Sequence, residues 1–141
     1  MPAAYLLPII NRLSRGEGDP KKVNAVIMAP TRELAIQIEQ QVEGFAYFLP
    51  VSSVAIYGGT DGIAWEQQRR GMALGAEIVI ATPGRLLALM NLQQADLSGV
   101  TYFVLDEADR MLDMGFQEDI MQINNALPKD CQRVMFSATM P

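Results

Sequence analysis

The chain has 141 residues, half of them apolar and 19% charged, with a formal net charge of −5. That length supports one globular domain with a sizeable core, while the acidic balance excludes attraction of a polyanion through overall charge and leaves that task to a local basic or helix-terminus patch. The absence of histidine excludes histidine-based zinc sites and Ser-His or Cys-His catalysis within the chain, and the single cysteine, Cys131, excludes an internal disulfide.

Cys131 reads as a small buried hydrophobe in a reducing compartment such as the cytoplasm. The opening MPAAYLLPIINRL lacks a basic n-region and a small-residue cleavage site, so it is not read as a signal peptide. No apolar run approaches the roughly 20 residues that span a bilayer, so no membrane partner is expected.

In chain order, SRGEGDPKK (14–22) is polar, with two glycines and a proline, and is predicted to be a surface loop. VNAVIMA (23–29) is a short apolar run rich in β-branched residues, followed by TRELAIQIEQQVEGFAYF, where Leu34, Ile38, Val42 and Phe45 form one helix face. VSSVAIY (51–57) and AEIVIA (76–81) repeat the apolar run. PGRLLALM (83–90) begins with a proline suited to the first helical position. VTYFVL (100–105) is a fourth run, the segment 116–127 carries Phe116, Ile120, Ile123 and Leu127 at helical spacing, and QRVMFS (132–137) is a fifth run. Near-continuous apolar runs mark strands covered on both faces, and their alternation with helices predicts a doubly wound, mostly parallel α/β sheet with helices on both faces.

In open parallel sheets ligands bind outside the carboxyl ends of the strands. The residues that follow the five runs are PTREL (30–34), GGTDG (58–62), TPGR (82–85), DEAD (106–109) and SAT (137–139). All are polar, charged or glycine-bearing, and all are predicted to share one edge. Each has a local alternative: Thr31 and Thr82 as helix N-caps, Gly58 and Gly59 as turn residues, Arg32 and Arg85 as solvated side chains. Together they make a rim of helix N-termini and two arginines, a good site for a run of phosphates. Asp106 follows Leu105 with no spacer, as an aspartate that holds a nucleotide's Mg2+ does. Its alternative is an acidic first turn favoured by the helix dipole.

With these motifs the chain resembles the first RecA-like domain of DEAD-box ATP-dependent RNA helicases. The motifs APTRELA (29–35), GG (58–59), ATPGR (81–85), LDEAD (105–109) and SAT (137–139) stand in that family's order over nearly the whole length. The resemblance implies a RecA-like fold and ATP-dependent RNA unwinding. It implies that Asp106 holds Mg2+ through its water shell and that Glu107 orients and deprotonates the attacking water. Asp109 would contact Ser137 and Thr139, which couple nucleotide state to strand separation. Pro30, Thr31, Arg32, Gly59, Thr82, Gly84 and Arg85 would hold one RNA strand by its backbone, without reading bases.

The chain departs from the pattern in more than one respect: the upstream adenine-recognition segment and the strand that feeds the phosphate-binding loop are expected to be missing, and so is the loop itself. It contains no GxxxxGK followed by serine or threonine, the phosphate-binding loop that in the family precedes a helix like AAYLLPIINRL. Residues 1–141 are therefore expected to be a partial first RecA-like domain, a piece of a helicase without its second RecA-like domain. ATP and Mg2+ would be cofactors of the complete protein, with neither expected on this piece. QRVMFSAT (132–139) is expected to form an edge strand open to self-association. The alternative is a non-catalytic module for RNA or a protein partner; a DNA-directed relative is a third reading.

Overall fold

The computed structural model describes residues 3–59 and 62–137. Its elements are α1 (Ala3–Ser14), β1 (Ala25–Met28), α2 (Arg32–Phe45), β2 (Ser53–Ile56), α3 (Gly62–Ala73), β3 (Ile78–Ala81), α4 (Pro83–Asn91), β4 (Tyr102–Leu105), α5 (Ala108–Asp113), α6 (Gln117–Asn125) and β5 (Gln132–Met135). Each of the five apolar runs is a strand, and the polar stretch before β1 is a loop, as expected.

The strands form one sheet in the order β2-β3-β1-β4-β5, every neighbouring pair parallel. Side chains alternate between its two faces, and both faces are covered. Ala25, Ile27, Ile78, Ile80 and Val104 pack with Leu6, Ile9 and Ile10 of α1 and Ala35, Ile38 and Val42 of α2. Val26, Met28, Ile56, Val79, Phe103 and Leu105 pack with Met72 of α3, Leu86 and Leu89 of α4, Met111 of α5, and Ile120 and Ile123 of α6. Burial on both sides fixes the register, because a slip of one residue would exchange the two faces. β1 and β3 are wholly buried.

α1 buries Tyr5, Leu6, Ile9, Ile10 and Leu13, a single stripe at helical spacing. Pro8 lies within it on the exposed side, where the carbonyl left unbonded one turn earlier faces water. Arg12 secures the far end of the helix by donating from Nη1 to the Tyr102 hydroxyl at 2.6 Å.

The strand ends decide where chemistry can occur. Ile56, Ala81, Met28, Leu105 and Met135 are register partners across the whole sheet. The hydrogen-bond ladder continues one residue further: Thr82 N donates to Ile56 O (3.0 Å), Ala29 N to Ala81 O (2.9 Å), Asp106 N to Met28 O (3.0 Å) and Phe136 N to Leu105 O (2.9 Å). All five chain segments therefore leave the sheet along one line. β5 is an edge of this sheet, with Met135 70% exposed, as the sequence led us to expect of QRVM. Among the described residues no helix is long and apolar enough to cross a membrane.

Candidate functional site at the carboxyl edge of the sheet

The sheet order sorts the sequence motifs into two adjacent groups. PTREL, the GG turn and TPGR follow β1, β2 and β3, which are neighbours. DEAD and the start of SAT follow β4 and β5, beside them.

In the first group two arginines converge on the glycine pair. Arg32, the first residue of α2, donates from Nη1 to Gly59 O at 2.8 Å. Arg85, in the first turn of α4, lays its guanidinium over the Trp65 ring at 4.4 Å. Gly58 and Gly59 leave room for this approach. A Cβ at Gly58 would stand 3.2 Å from Arg85 Nη2, and one at Gly59 would stand 3.3 Å from Arg32 Nη1. Gly59 also has φ +74, a conformation open to glycine at little cost. Pro30 is buried and ends the strand.

The two threonines differ. Thr31 caps α2, its Oγ1 accepting from Leu34 N at 3.1 Å, so the local reading of that residue holds. Thr82 occupies the N-cap of α4 with extended backbone, but its hydroxyl makes no capping bond there. Its side chain is therefore available to an outside acceptor, next to Gly84, which is exposed in the first turn. The N-termini of α2 and α4 thus present unpaired backbone N–H groups beside two guanidinium groups, an arrangement suited to successive phosphates.

In the second group Asp106 is 7% exposed, delivered to the edge by β4. Its Oδ2 accepts from the Tyr5 hydroxyl at 2.7 Å. Burial, then the hydrogen bond to Asp106 and its charge, push the Tyr5 phenol far above its ordinary range, so it acts as a donor. Glu107 has φ 55 and ψ 51, a left-handed conformation at the N-cap of α5, with no capping bond from its side chain. A bulky residue held at positive φ costs about 1–2 kcal/mol and marks sites where geometry overrides local preference. The turn is held by Ala108 N donating to Phe136 O (2.8 Å) and by Arg110 Nη1 donating to Glu107 Oε1 (3.2 Å).

That backbone bond joins the DEAD turn to the chain leaving β5. Asp109 lies exposed in the first turn of α5 and Ser137 is exposed next to Phe136. Thr139 lies outside the described residues, as do Thr60 and Asp61 of the GGTDG stretch. Among the described residues no group of three or more His, Cys, Asp or Glu side chains forms a metal cage. A hydrated Mg2+ does not need one: it keeps several waters and takes one or two carboxylates plus substrate phosphates. The hard oxygen donors of Asp106 and Glu107 fit such an ion.

The DEAD/DEAH box helicase family profile matches residues 3–141. The chain belongs to that family. It is 44% identical over 144 residues to ATP-dependent RNA helicase DBP2 of Scheffersomyces stipitis, covering 98% of this chain and 26% of that protein. It is 46% identical over 142 residues to DEAD-box ATP-dependent RNA helicase 30 of Arabidopsis thaliana, covering 98% of this chain and 23% of that protein. Probable ATP-dependent RNA helicase DDX46 of Danio rerio is 44% identical over 143 residues, with 98% of this chain and 14% of that protein covered. The chain spans about a quarter or less of the length of these relatives.

In this DEAD/DEAH box chain the structure adds residues that sequence reasoning missed. Trp65 supports Arg85 from α3, and Gln68, buried in the same helix, accepts from Tyr57 N through Oε1 at 3.1 Å, fixing α3 to the end of β2. Tyr5 and Arg110 hold the two carboxylates. The lone tryptophan of the chain, in the polar segment between GGTDG and TPGR, was a usable signal for the first of these; nothing in the sequence connects Tyr5 with Asp106.

Proposed function

We propose that the chain is part of the first RecA-like domain of an ATP-dependent RNA helicase, whose activity is to couple ATP binding and hydrolysis to local separation of RNA strands. The observation that carries this reading is the line of motif residues at the carboxyl edge, with an anion rim on β2-β3-β1 and a carboxylate pair at β4.

In this reading Arg32, Arg85, Thr31, Thr82, Gly59, Gly84 and Pro30 hold the backbone of one RNA strand. Supporting it, all of these positions except Pro30, which is buried and has no N–H, offer guanidinium, hydroxyl or backbone N–H donors, with affinity drawn from phosphates and little base readout. Asp106 would hold a hydrated Mg2+, which when bound would supply charge neutralisation for the transferred phosphoryl group, and Glu107 orients the water that attacks the terminal phosphate and takes its proton. Asp109, Ser137 and Thr139 link the nucleotide half to the RNA half, a role supported by the bond from Ala108 N to Phe136 O (2.8 Å). The partners are RNA, a second RecA-like domain, and a second copy of the chain pairing along the exposed β5 edge; the place of action is the cytoplasm.

The test is phosphate release from ATP with and without RNA. A helicase polypeptide containing these residues together with a phosphate-binding loop hydrolyses ATP on RNA addition, and Glu107→Gln abolishes that while nucleotide still binds. Undiminished turnover in Glu107→Gln would remove Glu107 from its role. The 141-residue chain by itself, with no GxxxxGK sequence, is expected to release no phosphate.

A further inference from the structure

Tyr5 belongs to none of the edge motifs, yet it touches Asp106 of DEAD and Phe136, the residue that precedes SAT. Its hydroxyl donates to Asp106 Oδ2 at 2.7 Å across 101 positions of sequence, and its ring packs on Phe136 with centroids 5.2 Å apart and planes inclined by 33°. The side chain is 6% exposed and comes from α1, on the same sheet face as Phe136.

We infer that Tyr5 is a positioning residue: it fixes the rotation of the Asp106 carboxylate and ties that carboxylate mechanically to the segment leading from β5 to Ser137. The terminal torsion of an aspartate is broad and roughly two-fold, so a buried carboxylate needs a donor to hold it in one orientation. The phenol takes one position on Oδ2 and leaves Oδ1 and the other lone pair of Oδ2 open to an incoming donor such as the water shell of a cation. Phe136 is held on three sides. Its N–H donates to Leu105 O at 2.9 Å, its carbonyl accepts from Ala108 N at 2.8 Å, and its ring meets Tyr5. Movement of Asp106 would therefore displace the phenol, and the ring would pass that displacement to Phe136 and its neighbour Ser137. Phenylalanine at position 5 would keep the packing but remove the donor.

The part of this inference that concerns a cation rests on the proposed function; the positioning of the carboxylate does not. The two are separated by an NMR experiment on the 141-residue chain, as wild type, Tyr5→Phe and Phe136→Leu. The readouts are the carboxyl carbon of Asp106, the amide of Ser137, and broadening of the Asp106 amide by Mn2+ alone in large excess, a hard octahedral stand-in for Mg2+ that carboxylates without substrate phosphates hold only weakly. Tyr5→Phe is expected to move the Asp106 carboxyl and Ser137 resonances. It also weakens the Mn2+ response by about tenfold or more, the usual effect of removing an outer-shell partner. Phe136→Leu leaves the carboxyl resonance near its wild-type position but abolishes the response of Ser137 to Mn2+. Carboxyl and Ser137 resonances unmoved by Tyr5→Phe would overturn the inference. A wild-type chain whose Asp106 ignores Mn2+, while Tyr5→Phe still moves both resonances, supports the positioning role and removes the cation reading.

Discussion

Glu107 sits at φ 55 and ψ 51, where a side chain is strained and glycine is not. This predicts a reversal in the usual order of two substitutions. At ordinary helix or strand positions, glycine is less stable than alanine by about 0.5–1 kcal/mol because it loses more backbone freedom on folding. Here Glu107→Ala keeps the left-handed strain of about 1–2 kcal/mol, while Glu107→Gly relieves it. Both variants lose the half-exposed pair with Arg110 at 3.2 Å, so that contribution cancels in the comparison. Subtracting the entropy cost from the relieved strain leaves glycine ahead by about 0.5–1 kcal/mol. For a chain of this size that is a difference in Tm of about 2–5 °C. Urea denaturation followed by circular dichroism measures it, with Glu107→Gln as a third variant that keeps the side-chain length. Alanine equal to or more stable than glycine would show that Glu107 is not held at positive φ, and the strain argument for the site would fail.

Burial raises the Glu77 carboxyl above its ordinary range, opposed by the Ser52 backbone N–H. An acid raised on folding lends its stability below the unfolded pKa and loses it as pH rises through the folded pKa. Glu77→Gln should therefore raise Tm at pH 7, with the gain shrinking as the pH is lowered into the acidic range; an equal gain at both ends would contradict this. Leu86 is fully buried under the sheet and Leu74 is 87% exposed. Leu86→Ala should cost about 3–5 kcal/mol in chemical denaturation and Leu74→Ala less than about 0.5 kcal/mol. Gly58→Ala places a methyl 3.2 Å from Arg85 Nη2, so it should weaken RNA binding while leaving Tm nearly unchanged. The exposed β5 edge should make the sedimentation coefficient of the chain rise with concentration, since Val134, Met135 and Phe136 offer an apolar edge without proline or lysine. A single monomeric species throughout the series would mean that edge pairing does not occur.

The strands were legible because each is part of an apolar run short enough for a strand; β1 and β3, covered on both faces, bury every residue, while the edge strand β5 is mostly exposed. α2 was legible from Ile38 and Val42, which are buried as their spacing implied. α3 was not, because it buries only Gln68 and Met72, while Trp65 is half-covered and Ile63 faces solvent. One polar and one apolar buried residue do not make a recognisable stripe. α5 is six residues long and begins inside the DEAD tetrapeptide, so it was legible only as an acidic first turn and not as a stripe of buried residues. The positions of the described motif residues followed from parallel strands sharing one carboxyl edge. Their partners did not, since the contacts from Tyr5 to Asp106 and from Arg85 to Trp65 depend on packing between elements distant in sequence. The left-handed backbone of Glu107 is likewise imposed by the turn around it, not by its own preference.

The most direct test of the edge as a nucleic-acid platform is titration of a labelled single-stranded RNA with the 141-residue chain over a range of salt concentrations. Wild type should bind weakly and without base preference, against its net charge of −5, with an affinity that falls steeply as salt rises. Arg32→Ala and Arg85→Ala should each lower affinity uniformly across RNA sequences and reduce the logarithmic salt slope by about 0.7, the value for one phosphate contact on a single strand. Tight binding that persists at high salt, a marked base preference, or a salt slope unchanged by both substitutions would contradict the account.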